Sequence, residues 1–400
     1  MQASASSQVK PISAIPQVVI IALASFVMTL VTMARTALIA PGTSLFSNPW
    51  DHHKYMEMAR NGPWAFHLAP FCWRILAPLM AMVMPLDIVT NFKIITVCGL
   101  ALSGVTVFYI TLETGFPKPA AILAMLLFFS SITVKFDLAF FCGPNALALC
   151  LMSVCFLLIL KKKDLLFAAA LAAGALTKEP VLLMIVLFYS LRAVKFFDLR
   201  QLQRTVWVAL PAAIAFIAVR LWIPALNDNA AYVASLSENL RVVMKGQPSF
   251  SYAEAVWVMI RELRATNGVV ALELFTVAPF GLLFFLVPFG IANHWVYCLR
   301  IAPFMAIIYM QSLFSASIAA SLALGWIPVM LVALFVIQDT GISYRDFWPA
   351  ALLLWAANLI RVGGVEAPFL VQAVIATLAI AVSIQISGRL GRSHRPGVLY

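Results

Sequence analysis

Asn48-Pro-Trp-Asp-His-His-Lys-Tyr-Met-Glu-Met-Ala-Arg-Asn-Gly62, followed closely by Ala69-Pro-Phe-Cys-Trp-Arg-Ile-Leu-Ala-Pro78, is the polar interruption around which the rest of the chain is organised. It follows a long apolar run, residues 18–39, and it crowds Asp51, His52, His53, Lys54, Glu57, Arg60, His67 and Arg74 into one short loop. Ionisable side chains beside a bilayer are costly to keep, so such a cluster marks a functional-site candidate. The plainer reading is a solvated loop whose charges anchor the neighbouring membrane segments.

Outward from that loop the chain is apolar. Of 400 residues, 63% are hydrophobic and 11% are charged, with a mean hydropathy of +0.97. A soluble domain carries about 25% charged residues. The sequence therefore reads as an all-α polytopic membrane protein, a single integral-membrane domain over residues 1–400. The net charge of +11 does not point to nucleic acid. Its positive residues sit in short loops between apolar runs, which is the positive-inside pattern. The cysteines at 72, 98, 142, 150, 155 and 298 have neither paired extracellular spacing nor CxxC spacing, and read as small buried hydrophobes.

Residues 18–39 are too long for a signal-peptide core of about 7–15 residues and read as an uncleaved span. About ten spans are expected, each near the ~20 residues that cross a bilayer: 18–39, 89–112, 120–134, 138–160, 206–225, 269–291, two within 301–337 broken near 317–321, 347–360 and 368–386. Three Lys/Arg groups orient them: Lys161 to Lys163; Arg192, Lys195, Arg200 and Arg204; and Arg389, Arg392 and Arg395. With all three in the cytoplasm, both termini lie there too. Loops 41–88 and 227–266 then fall outside, as do turns at Lys135 to Asp137 and at 361–366. The charged loop groups thus gather on one outer face.

Residues 165–191 have cytoplasmic positives at both ends, so this segment must go out and return. Thr177-Lys178-Glu179-Pro180 interrupts it, and Pro180 cannot continue helical hydrogen bonding. It reads as a broken helical hairpin with Lys178 and Glu179 at its tip. Broken backbone at membrane depth belongs inside protein or beside a watery cavity; the alternative is a local Lys–Glu pair that shields itself. Residues 252–264 and 71–84 read as interfacial helices in the outer loops. Arg35 and Arg220, near the outer ends of their spans, read as snorkelling, with phosphate binding the alternative for Arg220. Phe141-Cys-Gly-Pro-Asn145 reads as a kink or, alternatively, a cavity lining.

Trp50-Asp51-x-x-x-Tyr55-x-x-Met58-Ala59-x-x-Gly62, in a long outer loop after a first span, resembles the acidic first loop of GT-C integral-membrane glycosyltransferases. It is nearest to the GPI mannosyltransferase-like proteins and their bacterial relatives. Ala175-Leu-Thr-Lys-Glu179 resembles the hairpin tip of bacterial members. The likeness covers about the first half of the chain, and this loop carries a single Asp51 where many members have an acidic pair. The resemblance implies a GT-C-like fold in a bacterial inner membrane. It also implies transfer of a sugar from a polyprenyl-phosphate donor to an acceptor at the outer face, with a lipid-linked sugar donor and membrane lipids as partners and no nucleic acid.

Under that resemblance Asp51 is the base that accepts the acceptor's proton, and Asp137 supports it or binds a metal. Arg74 and Lys178, with Lys135 as a further candidate, hold the donor phosphate; Tyr55 and Glu179 complete the substrate-binding set. No metal site is read: His52 and His53 are adjacent and diverge by about 100° on a helix. A divalent metal stays open as a cofactor. Two other functions fit the same setting. A transporter or flippase of lipid-linked or anionic solutes would use the hairpin and Arg220 as a midplane site, although no internal repeat is visible. An envelope polysaccharide polymerase or ligase would depend on arginines in a large outer loop.

Overall fold

A computed structural model describes residues 14–41, 51–195, 197–227, 229–236, 277–312, 321–359, 361–362 and 365–366. Within them the chain is helical, apart from a two-residue antiparallel ladder that pairs Arg361–Val362 with Val365–Glu366. The expected span 368–386, the interfacial segment 252–264, the Arg389 to Arg395 tail and most of the break near 317–321 lie outside the described residues.

In chain order the site-bearing part comprises α1 (Ala14–Arg35), α2 (His52–Asn61), α3 (Leu76–Val83), α4 (Ile88–Glu113), α5 (Lys118–Phe129) and α6 (Ile132–Ala139). It continues with α7 (Asn145–Leu160), α8 (Asp164–Ala175), α9 (Met184–Arg192), α10 (Leu199–Trp222) and α11 (Ala230–Ser235). Helices Val287–Asn293, Trp295–Ser312, Trp326–Asp339 and Trp348–Asn358 follow. Among the described residues α1, α4 and α10 are each long and apolar enough to cross a membrane, and α5 with α6 makes a fourth if that bent pair is one span. The protein is a helical membrane protein.

The apolar window of α4 is 72% buried, against 28% for α1 and 22% for α10. Helix α4 is therefore the centre of the bundle. The outer faces of α1 and α10, with Val19, Leu23, Trp207 and Ile214 exposed, meet lipid. In lipid there is little hydrophobic drive to bring helices together, so close packing and hydrogen bonds do that work. At the α1–α4 contact Ser25 Oγ donates to Ala101 O at 2.6 Å. A Cβ on Gly104 would lie 2.5 Å from that same Oγ. Other helical hydroxyls, such as Thr29, Ser103, Thr111 and Ser153, donate to the carbonyl four residues back and so need no water.

The breaks differ from the expected ones. Residues 120–134 do not run as one helix: α5 and α6 meet at a 45° bend, where Ser130 and Ser131 turn their hydroxyls onto Leu127 O and Phe128 O. The next break is 140–144, where Gly143 and Pro144 stop the helix before α7 begins at Asn145. Lys135 and Asp137, expected in a turn, therefore lie inside α6. Residues 71–84 are not one helix either. A single 3-10 turn, Phe71–Trp73, precedes the short α3.

The 165–191 hairpin has the expected form. Helix α8 ends at Ala175, Lys178 is extended (φ −163°, ψ 133°), and a 3-10 turn, Glu179–Leu183, leads through Pro180 into α9. At the start of α8, Asp164 accepts hydrogen bonds from Arg192 and Arg204, and Lys161 pairs with Glu113 at 3.2 Å. The basic groups thus share one end of the bundle. The hairpin tip lies at the opposite end, next to the N-terminus of α7, whose 16 residues span about 24 Å.

The hairpin closes over Gly174, where an added Cβ would meet Val181 Cγ1 at 2.2 Å. Gly174→Ala gains roughly 0.5–1 kcal/mol of helix propensity but overpacks a stiff β-branched side chain at a cost of about 1–3 kcal/mol. The expected outcome is a lower thermal unfolding midpoint in detergent; a raised midpoint would show that the two arms are not in contact there.

Candidate functional site

Helix α2 builds the first wall. Asp51 starts it with 59% of its side chain exposed, while Lys54, three residues on, is only 3% exposed. Lys54 Nζ lies 2.9 Å from Asp51 Oδ1 and 3.7 Å from the centre of the Phe71 ring, so it is held by an ion pair and a cation–π contact. Tyr55 is buried and its hydroxyl accepts from Arg74 Nη1 at 3.1 Å. Burial, against the pull of Arg74, holds this phenol well above its ordinary range. Tyr55 therefore keeps its proton, and that proton can be donated to a ligand.

The rest of the loop is docked on α10 and the hairpin by backbone hydrogen bonds. Leu226 N donates to His67 O at 2.9 Å, and Leu76 N to Leu176 O at 3.0 Å. Ala69 N donates to Asn227 Oδ1 at 2.8 Å, Trp73 Nε1 to Ile223 O at 2.9 Å and His67 N to Tyr232 Oη at 2.6 Å. Beneath this seam the buried Cys72 thiol is pushed up to about 12 by burial and stays protonated.

Glu179 is where the three pieces meet. Arg74 Nε lies 2.9 Å from Oε2 and Arg220 Nη2 3.5 Å from Oε1. The Arg220 guanidinium also rests on Phe216, 3.3 Å from the ring centre, and on Trp73, at 4.3 Å. Lys178 turns the other way and donates to Asn145 Oδ1 at 2.7 Å. Asp137 lies close to both Asn145 and Lys178, near enough to act on the lysine's charge. Asp137, Asn145, Lys178 and Thr133 line a cavity with room for about one water molecule.

Of the residues singled out from sequence, Asp51, Tyr55, Arg74, Asp137, Lys178 and Glu179 are brought to one end of the bundle. Asp51, Arg74, Asp137 and Glu179 all lie near enough to Lys178 to act on its charge. Lys135 is buried on α6 two residues from Asp137, so it leaves that helix on a different face. Lys178 and Glu179 do not bond one another: Lys178 donates to Asn145, and Glu179 accepts from Arg74. Among the described residues no group of three His, Cys, Asp or Glu side chains is placed to hold a metal. The His52 and His53 rings lie 4.3 Å apart, centre to centre.

Three contributors were weakly signalled or missed. Arg220 is a charge in an apolar run, a signal that snorkelling explains equally well. Asn145 stood only as the end of a kink. Thr133 gave no signal. No protein-family model and no curated protein matches the chain.

The arrangement offers an exposed carboxylate, a protonated phenol and several cations within one end of an apolar bundle. Such a set can take a proton from a hydroxyl and hold an anionic group. Lys178 and Asp137 line one small cavity and act on each other's charge, so removing either strands the other in a poorly hydrated place. Lys178→Met and Asp137→Asn are each expected to destabilise, and the double variant to lose less than their sum, with a coupling of roughly 0.5–3 kcal/mol in a thermal or denaturant cycle. Additive effects would dissolve the pair. Pairing Lys178→Met with Glu179→Gln should bring no such recovery.

Proposed function

We propose that the protein is a GT-C-type glycosyltransferase that moves a sugar from a polyprenyl-phosphate donor to an acceptor hydroxyl at the outer face of a bacterial inner membrane. In this reading the chain has about ten spans and both termini in the cytoplasm. The observation that carries it is the convergence, at one end of the bundle, of the solvent-exposed Asp51 carboxylate with Arg74, Lys178 and Arg220. The opposite end carries the lysines and arginines expected of a cytoplasmic face.

The chemistry follows from what each group can do. The acceptor oxygen attacks the anomeric carbon, and the bond from that carbon to the phosphate oxygen breaks. The acceptor's proton passes to Asp51, and the electron pair leaves with the polyprenyl phosphate. Arg74 and Lys178 hold that phosphate and offset its growing charge. Asn145 accepts from Lys178 and positions it, with Asp137 close by to offset its charge. Tyr55 donates its proton to a ligand oxygen, and Arg74 fixes the orientation of its hydroxyl.

Asp51→Asn keeps the size and hydrogen-bonding capacity of the side chain but not its basicity. It is expected to lower transfer by purified protein about 10²–10⁴-fold while donor binding stays near normal. Transfer at the native rate would remove Asp51 from the base role.

Transport is the second reading. The Asp137–Asn145–Lys178 trio beside a broken hairpin favours it, since such sites sit near the midplane of transporters. It requires solute to cross the membrane chemically unchanged, and liposome flux with the purified protein distinguishes it from sugar transfer.

Orientation has its own check. With impermeant thiol reagents on intact cells lacking the native cysteines, Asn229→Cys should label from outside and Lys162→Cys only after the membrane is opened. The reverse pattern would invert the protein and place Asp51 in the cytoplasm.

A further inference from the structure

Thr133 departs from the pattern of the helical hydroxyls. Thr29, Ser103, Thr111 and Ser153 each donate to the carbonyl four residues back. Thr133 is the second residue of α6, and the carbonyl four residues before it, Phe129 O, belongs to α5 on the far side of the 45° bend. The residue is buried all the same, only 8% exposed, and its Oγ1 has no hydrogen-bond partner in the protein. A hydroxyl taken out of water without a partner is costly, and in native proteins such groups are commonly satisfied by bound water.

The space beside it suits one small neutral ligand. Thr133 lines the cavity that it shares with Asp137, Asn145 and Lys178, which has room for about one water molecule. Ala148, Leu149 and Leu324 complete the wall and offer no polar side chain. A buried water needs about 2–4 polar partners, and the carboxylate, ammonium, carboxamide and hydroxyl of the other four supply them. Their two charges cancel. A bound cation would face Lys178 and a bound anion would face Asp137, whereas water can donate to the carboxylate and accept from the ammonium at once. An ammonium carries about three N–H donors. Asn145 Oδ1 takes one of them at 2.7 Å, which leaves donors for the water.

We propose that Thr133, Asp137, Asn145 and Lys178 form a binding site for a single water molecule, which links the Asp137 carboxylate to the Lys178 ammonium and pairs the Thr133 hydroxyl. A bridging water serves nearly as well as a direct hydrogen bond, so it offsets part of the cost of keeping two charges away from bulk solvent. The site depends on neither the glycosyltransferase nor the transport reading, and it adds to both. Lys178 is held from two sides, by the Asn145 amide oxygen and by the water. The bend between α5 and α6 gains a use as well: it detaches Thr133 from a helical carbonyl and leaves its hydroxyl for the cavity.

Thr133→Val keeps the shape of the side chain and removes the hydroxyl, so it gives opposite results for a hydrated and a dry cavity. With water in the site, the variant leaves Asp137 and Lys178 less well hydrated. The thermal midpoint of the purified full-length protein in nanodiscs is then expected to fall by a few degrees. In a dry cavity the same change removes an unpaired buried hydroxyl, and the midpoint rises. A raised or unchanged midpoint overturns the proposal. The fall must also depend on the two charges. In a chain that already carries Asp137→Asn and Lys178→Met, Thr133→Val is expected to lower the midpoint by less than about half as much. A larger fall in that background reduces Thr133 to a packing residue and overturns the proposal too. If either variant does not fold, a density map of the native chain that shows ordered water decides. A peak about 2.6–3.2 Å from Thr133 Oγ1, and within the same reach of Asp137 or Lys178, is expected. No peak there, with water visible at other buried polar groups, overturns the site.

Discussion

A charge removed from water needs a partner, and in this chain that requirement decides how the pieces meet. Glu179 on the hairpin, Arg74 in the first long loop and Arg220 on α10 come from distant parts of the sequence and close on one another. Deleting one partner of a buried ion pair strands the other, at a cost of about 3–5 kcal/mol. These pieces are only partly buried, so the cost here is smaller, but its direction is the same. Aromatic faces add to the lock, with Lys54 on Phe71 and Arg220 on Trp73 and Phe216. The loop, the hairpin and α10 are therefore positioned by the same groups that make up the candidate site.

Backbone polarity imposes a second constraint on the same region. A carbonyl freed by a helix break in a membrane must find a donor within the protein. Residues 140–144 and 176–180 are such breaks, and both lie at the site end. Three carbonyls at or beside these breaks are met from other elements: Ala139 O by Ile39 N, Phe141 O by Thr96 Oγ1 and Leu176 O by Leu76 N. Each break becomes a docking point for another element. The irregular backbone that makes room for charged side chains is thereby also what ties α1, α4 and α3 to the site.

Hydropathy made the central helix legible: residues 89–112 as read from sequence and Ile88–Glu113 in the structure differ by a residue at each end. It failed where polarity and backbone geometry part company. Lys135 to Asp137 looks like a turn because it is charged, yet the chain breaks at Ser130–Ser131 and at Gly143–Pro144, where hydroxyls and proline compete with the helix. The site residues were legible for a simple reason, that charge is scarce in this chain. Their partners were not. Lys178 and Glu179 are neighbours and invite a local pairing, but Lys178 is extended, and the two side chains diverge toward Asn145 and Arg74. A contact between residues 74 and 179 leaves no trace in either local sequence.

The two ends of the hairpin are held in the same way. At each end one carboxylate receives two arginines, and α10 supplies one of them each time. Arg204 and Arg220 are 16 positions apart on α10, about 24 Å along its axis. At the basic end Arg192 bonds Asp164 and also donates to Ile159 O at 2.8 Å, so its fork is consumed within the protein. At the other end Arg220 leans on aromatic rings, donates to Phe216 O at 3.3 Å and stands 3.5 Å from Glu179. The tip cluster lies at the same end as the exposed Asp51 and the buried Tyr55, whose hydroxyl Arg74 also reaches. The hairpin is thus held against α10 at its base and at its tip by the same device, one carboxylate between two arginines.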